Sequence, residues 1–221
     1  MSNTKEQKTP YEIVMGIENL LGNVPVKGLS KGYGYLFLRY GQIGELTFDI
    51  IRHKLTDAID NISQGRYNFA TSALSSAKGD WYLAADVAKR LERYPPDEFH
   101  MIRPHLQKGG GNQSPSFRKV LRVSLDIWNA YEKQLQNKSI SLKEIHHNIG
   151  VRQSYNELYL LTQSMLNFDT AYQSFQNAHW VVAKRIIGFK GITPSGKDVL
   201  DLEKRAMKPL FKELWEAIPL E

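Results

Sequence analysis

Apolar residues recur at intervals of three and four along almost the whole chain, and no succession of alternating strands bounded by hairpin turns interrupts them. The pattern predicts an all-α protein. From Gly34, GYLFLRYGQIGELTFDIIRHKLTDAI puts Phe37, Ile43, Leu46, Ile50, Leu55 and Ile59 near one side of a helix of about seven turns. A second helix carries Ala70, Ala73, Leu74, Ala77, Trp81, Ala84, Ala88 and Leu91, and Tyr94-Pro95-Pro96 stops it. A third carries Phe117, Leu121, Ser124, Trp128, Tyr131 and Leu135 and breaks at Asn137-Lys138-Ser139. The longest runs from near Gln153 to Ile187 without Gly or Pro, with Tyr155, Leu158, Thr162, Met165, Tyr172, His179, Ala183 and Ile186 on a common stripe. It would span roughly 50 Å and form the backbone of a helical bundle.

Two loops punctuate this pattern. The stretch RPHLQKGGGNQSPSFR (103 to 118) holds three consecutive glycines, a composition that suits either a linker or backbone wrapped closely around a ligand. GFKGITPSG (188 to 196) precedes a last helix, for which Ser195 with Asp198 three residues on is a candidate cap and Trp215 the approximate end. No internal repeat is present, and no linker is long enough to require a second domain, so residues 1–221 read as one all-helical domain.

Composition narrows the classes. Hydrophobic residues make up 42% and charged residues 24%, enough to build a large core and too apolar for global disorder. No run approaches the about 18 consecutive apolar residues of a membrane helix, and the first 25 residues lack the pattern of a secretory signal, so a cytoplasmic protein is expected. Cysteine is absent, which excludes disulfides, thiolate nucleophiles, zinc–cysteine sites and iron–sulfur clusters. The net charge of +6 comes from 29 Lys and Arg against 23 Asp and Glu. These basic residues are scattered rather than gathered into a stripe, so an ordinary solvated surface is expected and not a nucleic-acid interface.

Of the six histidines, only His179 lies within a strongly apolar helical stripe, beside Phe175, Val182, Ala183 and Ile186. Such a residue is either a satisfied core histidine or a ligand. Haem suits the setting best if it is a ligand, because one neutral imidazole can hold the iron while apolar neighbours cover the porphyrin. Zinc would want further ligands at i+3 or i+4, and none is there. His146-His147 lies at a helix boundary, but adjacent helical residues point about 100° apart and rarely chelate. His53, His100 and His105 read as surface residues. Arg118 follows the glycine-rich loop at the start of a helix; it is either a solvated guanidinium or one presented to a carboxylate. No phosphate loop, nucleophile elbow or paired-carboxylate motif is found.

Read in order, four segments resemble the tryptophan 2,3-dioxygenase family. Tyr11 and IENLL (17 to 21), with FLRYGQIGEL (37 to 46), resemble its opening Tyr, Leu-Asp-x-Leu-Leu and Phe-Ile-x-x-His-Gln-x-x-Glu-Leu stretches. FHMIRPHLQKGGGNQSPSFR (99 to 118) resembles its Phe-Arg-x-x-Leu, Ser-Gly-x-Gln-Ser and Gln-Phe-Arg succession. HWVVAKRIIGFKGITPSGKDVL (179 to 200) is similar to its ligand His, Ile-Gly-x-Lys and Gly-Thr loop, and FKELWE (211 to 216) to its closing Phe-x-x-Leu-Trp. The resemblance implies haem b held by His179, with Trp180 and Ala183 also at the cofactor. It implies that Arg118 holds a substrate carboxylate, that Thr193 contacts the ammonium, and that Phe37, with Tyr40 and Gly41, lies on the distal side. Two departures stand out. Gly41 takes the position of the family's distal His, and the Gly-Thr loop is shortened to GITPSG.

The resemblance therefore implies a haem-dependent oxygenase of tryptophan or a related indole or aromatic amino acid, using dioxygen or peroxide and assembled as a homodimer or homotetramer. The loss of the distal imidazole leaves two other outcomes open: a haem-dependent mono-oxygenase or hydroxylase, and a non-catalytic haem-binding protein.

Overall fold

A computed structural model describes residues 9–106 and 109–218, and every described regular element is helical. The short helices α1 (Pro10–Val14) and α2 (Ile17–Gly22) lead into the long α3 (Gly32–Ser63), followed by α4 (Tyr67–Arg90) and α5 (Pro96–Ile102). Then come α6 (Pro115–Asn137), α7 (Leu142–His147), α8 (Ile149–Ser154), the long α9 (Asn156–Ile187), α10 (Leu200–Ala206) and α11 (Lys212–Glu216). The all-α expectation holds. No described helix is long and apolar enough to cross a membrane.

Four helices form the bundle: α3 packs on α4 and α6, and α4 packs along α9. The α4 face is nearly as the spacing predicts, with Tyr67, Ala70, Leu74, Ala77, Trp81, Ala84 and Ala88 buried. Its alanines let α9 approach closely, because interaxial distance follows the size of the side chains between two helices. Across the bundle, α6 meets α9 through large side chains: Phe117 lies 6.4 Å from Tyr172, and the Tyr131 hydroxyl is 2.6 Å from Thr162 Oγ1. Burial pushes the Tyr131 phenol well above its ordinary pKa, so it stays a neutral hydrogen-bonding group.

Three expectations are corrected. On α3 the buried residues are Thr47, Phe48, Ile51, Leu55, Ala58 and Ile62, whereas Ile43, Leu46 and Ile50 are 40%, 53% and 48% exposed. At about 100° per residue these three lie opposite Leu55, so the predicted stripe merged two faces of one helix. The longest helix begins at Asn156 rather than Gln153, because α8 precedes it and the chain bends at Tyr155. The last helix is split in two, since Pro209 lacks the N–H that a continuous helix needs. Its first piece starts after Val199, which gives it no side-chain cap, and the Asp198 carboxylate just before accepts the Leu200 N–H at 2.9 Å.

The C-terminal piece is tied down by a carboxylate. Asp169 of α9 is completely buried and accepts the Leu210 N–H at 2.9 Å, the Phe211 N–H at 3.0 Å and the Trp215 indole N–H at 2.9 Å. Phe211 and Leu214 thereby enter the main core. The N-terminal piece is held differently. Arg39 donates to the Leu20 and Leu21 carbonyls and Gln42 to that of Asn23, so side chains of α3 clasp the end of α2. No residue of α1 or α2 is buried.

Candidate functional site

The buried side chains form two cores, and His179 sits where they meet. The larger holds Phe48, Trp81, Phe117, Tyr172 and Phe175, and the smaller holds Leu29, Phe99, Ile102, Val182 and Ile186. On α9, Phe175 belongs to the first and Val182 to the second, with His179 one turn from each. On α3, Phe48 packs on Phe175 at 5.3 Å, while Phe37 packs on Phe99 at 6.0 Å beside Val182 and Ile186. The helices therefore run with 48 level with 175 and 37 level with 182 to 186. Gly41, exposed, and Gly44, half-buried, lie on α3 between those levels.

The imidazole of His179 stacks on Phe175, with centroids 6.2 Å apart and planes 21° from parallel. Among the described residues it makes no hydrogen bond. Burial, and then the charge of Arg205, lower its pKa below the ordinary 6.5. The ring is thus neutral at pH 7, with a nitrogen lone pair available. Gly111 of the glycine-rich loop covers that edge so closely that a Cβ on it would lie 3.4 Å from Nε2. A side chain at residue 111 would thus pack directly against the imidazole. Gln107 and Lys108 of the same loop lie outside the described residues.

The other candidate residues group around this point to different degrees. Arg118 stands exposed on the first turn of α6, its Nη2 donating to the Gln113 carbonyl at 3.0 Å. That turn is fixed by Ser114, which caps it, and by Glu45 of α3, whose carboxylate accepts the Ser116 N–H at 3.4 Å. The turn that carries Arg118 is thus tied to α3 at Glu45. A Cβ at Gly41 would meet nothing within 4 Å, so the position expected to be distal is open. Tyr40 beside it adjoins Tyr94, whose phenol is raised above its ordinary pKa by burial and then by Tyr40 and Tyr33. Ala183 is buried; Trp180 is half-buried under the Lys184 ammonium at 4.1 Å, and its indole N–H finds no partner among the described residues.

Thr193 is used within its own loop. Its hydroxyl accepts the Lys197 N–H at 3.0 Å and lies 3.2 Å from the Ser195 hydroxyl. That loop is pinned by Arg103, just before the glycine-rich loop, through the Ile192 carbonyl at 2.7 Å. No hydrogen bond joins Thr193 to Arg118 or His179 among the described residues.

Sequence reasoning missed Asp169 and Arg205. The first had a readable mark: from Leu158 to Ala183 it is the one Asp, Glu, Lys or Arg. Arg205 had none, since it meets α9 only through the fold. Two open depressions of the surface, lined by residues between Lys143 and Tyr159, lie about 30 Å from His179 along α9 and do not belong to this site.

No family model matches the chain. Among curated proteins it is similar to the tryptophan 2,3-dioxygenase of Polaromonas naphthalenivorans, 22% identical over 228 aligned positions that cover 82% of this chain and 81% of that protein. The tryptophan 2,3-dioxygenase of Pseudomonas aeruginosa is 21% identical, with 81% and 79% covered. That of Erythrobacter litoralis is 23% identical, with 94% and 97% covered. The chain is thus distantly similar, over most of its length, to proteins of that name.

Proposed function

We propose that the chain is a haem-dependent oxygenase acting on tryptophan or a related indole or aromatic amino acid. One observation carries the reading: a neutral imidazole with no hydrogen bond among the described residues, set between two apolar cores and edged by a glycine, at the position where the resemblance places the haem ligand. These residues fit haem b better than zinc, since no group of three His, Asp or Glu side chains converges among the described residues. Haem b, when bound, supplies the binding and activation of dioxygen or peroxide.

The chain's own residues supply position and exclusion of water. His179 would hold the iron through an imidazole nitrogen, with Trp180 and Ala183 on the same turns of α9 and Gly111 at the ring edge. Phe37 offers an aromatic wall, Arg118 a guanidinium for the substrate carboxylate, and Thr193 an oxygen for the ammonium. Gly41 has no group that could take a proton from an indole, so the substrate nitrogen keeps its own. The exposed apolar stripe Leu36, Ile43, Leu46 and Ile50 on α3 supports a homodimer or homotetramer.

The open position at Gly41 favours a second reading, in which the site hydroxylates an aromatic amino acid or binds haem without turnover. Absorption spectra taken during haem titration test the first step. A stoichiometric Soret band that is lost in His179→Ala, with the far-ultraviolet helix signal retained, is expected. The same band in that variant would overturn the assignment. Product analysis with tryptophan and either dioxygen or peroxide then separates dioxygenation, hydroxylation and simple binding.

A further inference from the structure

The larger of the two depressions at the start of α9 holds about 650 Å³ and is lined by Ile149, Arg152, Gln153, Asn156 and Tyr159. That volume falls in the range of small-molecule sites, roughly 300–1,000 Å³. Its walls are fixed by the fold. Asn148 caps α8 by accepting the Val151 N–H at 3.2 Å, and Val151, Tyr155 and Tyr159 pack against the main core.

Arg152 is the charged group of this lining. It is half-buried, its guanidinium lies over the Tyr159 ring at 5.5 Å from the centroid, and its Nε is buried with no hydrogen-bond partner among the described residues. The two Nη groups are not buried and make no bond within the described chain either. The carboxylates nearest in sequence are engaged elsewhere. Glu144 accepts the Ser141 N–H at 2.8 Å and its hydroxyl at 2.7 Å, and Glu157 accepts the Asn68 amide at 2.7 Å. A guanidinium that has lost water at Nε and has no counter-charge gains from an anion at its Nη edge, where the planar fork can give a carboxylate two bonds.

The rest of the lining sets the class of anion. Gln153, Asn156 and Tyr159 are neutral, and their side chains make no hydrogen bond within the described chain. Lys143 lines the adjoining depression together with Glu144, so that side adds no net charge from the pair. One guanidinium balances a monocarboxylate but leaves a phosphate dianion half-neutralised. Ile149, 65% exposed, offers apolar contact for the body of the ligand.

We infer that this depression is a second binding site, for an organic monocarboxylate with an apolar body, in which Arg152 holds the carboxylate. It lies roughly 30 Å from His179 along α9 and does not depend on the haem reading.

The full chain is titrated with benzoate, with benzamide, which keeps the ring and lacks the charge, and with inorganic phosphate, while nuclear magnetic resonance follows the side-chain amide signals of Gln153 and Asn156. Saturable shifts with benzoate at about millimolar affinity are expected, with benzamide and phosphate weaker by about tenfold or more. Arg152→Gln should weaken benzoate binding by roughly tenfold to a hundredfold, and Arg152→Lys by less, because it keeps the charge and loses the fork. Circular dichroism and urea midpoints verify the fold of each variant. Should Arg152→Gln unfold, Arg152→Lys carries the comparison, with a loss for benzoate and none for benzamide. Absence of saturable shifts with benzoate, equal affinity for benzoate and benzamide, or unchanged benzoate affinity in Arg152→Gln overturns the site. Tighter binding of phosphate than of benzoate overturns the monocarboxylate assignment.

Discussion

Replacement of Asp169 by Asn tests the best-defined polar interaction in the molecule. One oxygen of the carboxylate takes the Phe211 and Trp215 N–H groups and the other takes that of Leu210, all at 2.9 to 3.0 Å, with the Gln173 amide donating more distantly to the latter at 3.4 Å. Asparagine fits the same space but brings an NH2 group where an acceptor stood. In its better orientation it keeps the Phe211 and Trp215 bonds in neutral form and sets an N–H against that of Leu210. Hydrogen bonds to a charged group contribute about 1.5–3 kcal/mol each and neutral ones about half as much, so one bond lost and two weakened amount to about 3–6 kcal/mol. For a chain of this size the melting temperature should fall by roughly 6–24 °C. Urea unfolding followed by tryptophan fluorescence and circular dichroism measures this, with Trp215 as a local reporter. A change within about 0.5 kcal/mol, the range of an ordinary surface substitution, would refute the reasoning.

Arg118→Leu should weaken tryptophan binding to the haem-loaded protein by roughly tenfold to a hundredfold and leave tryptamine nearly unaffected; equal losses would contradict a carboxylate role. Ile43→Glu with Leu46→Glu should convert an oligomer to monomer, and light scattering that gives 25.3 kDa for the unaltered chain would remove the case for assembly. His146 is held below the ordinary imidazole pKa of 6.5, first by burial and then by His147 and Arg152. Because its folded value lies below its unfolded one, its contribution to stability is complete above pH 6.5 and is lost as pH falls toward the folded value. His146→Phe should flatten the pH dependence of the urea midpoint in that window, and an unchanged slope would show that other groups cause it.

Helix α4 could be read from sequence because its apolar residues lie on one face, and the alanines and Trp81 that define the face are the ones buried. Helix α3 resisted the same treatment because it is apolar on two faces. A hydrophobic residue at a helical interval signals burial against something, and periodicity does not say whether that is the chain's own core, as for Leu55, or a surface left open, as for Leu46. The bundle was therefore legible and the orientation of α3 was not. At the site, the apolar surroundings singled out His179, and the fold does set it between two cores. Arg205 is 26 residues further along the chain, beyond a loop and a separate helix, and only tertiary packing brings it near. Thr193 shows the opposite case, a residue whose hydroxyl the local turn already occupies.

The clasp on α2 gives the N-terminal arm a thermal behaviour unlike that of the bundle. Its attachment to α3 runs through carbonyls held by Arg39 and Gln42, while Tyr11, Ile13, Val14, Leu20 and Leu21 are exposed even when it is docked. Detaching it exchanges hydrogen bonds with the protein for hydrogen bonds with water and uncovers little apolar surface, so the heat-capacity change is close to zero. The bundle's stability must curve with temperature, weakening on cooling as well as on heating, because it rests on buried hydrocarbon. The arm's docking free energy instead varies almost linearly, set by an enthalpy of a few polar contacts against the entropy of freeing one short segment. Temperature thus acts on the two parts separately, and the arm can loosen over a range in which the helices behind it scarcely change.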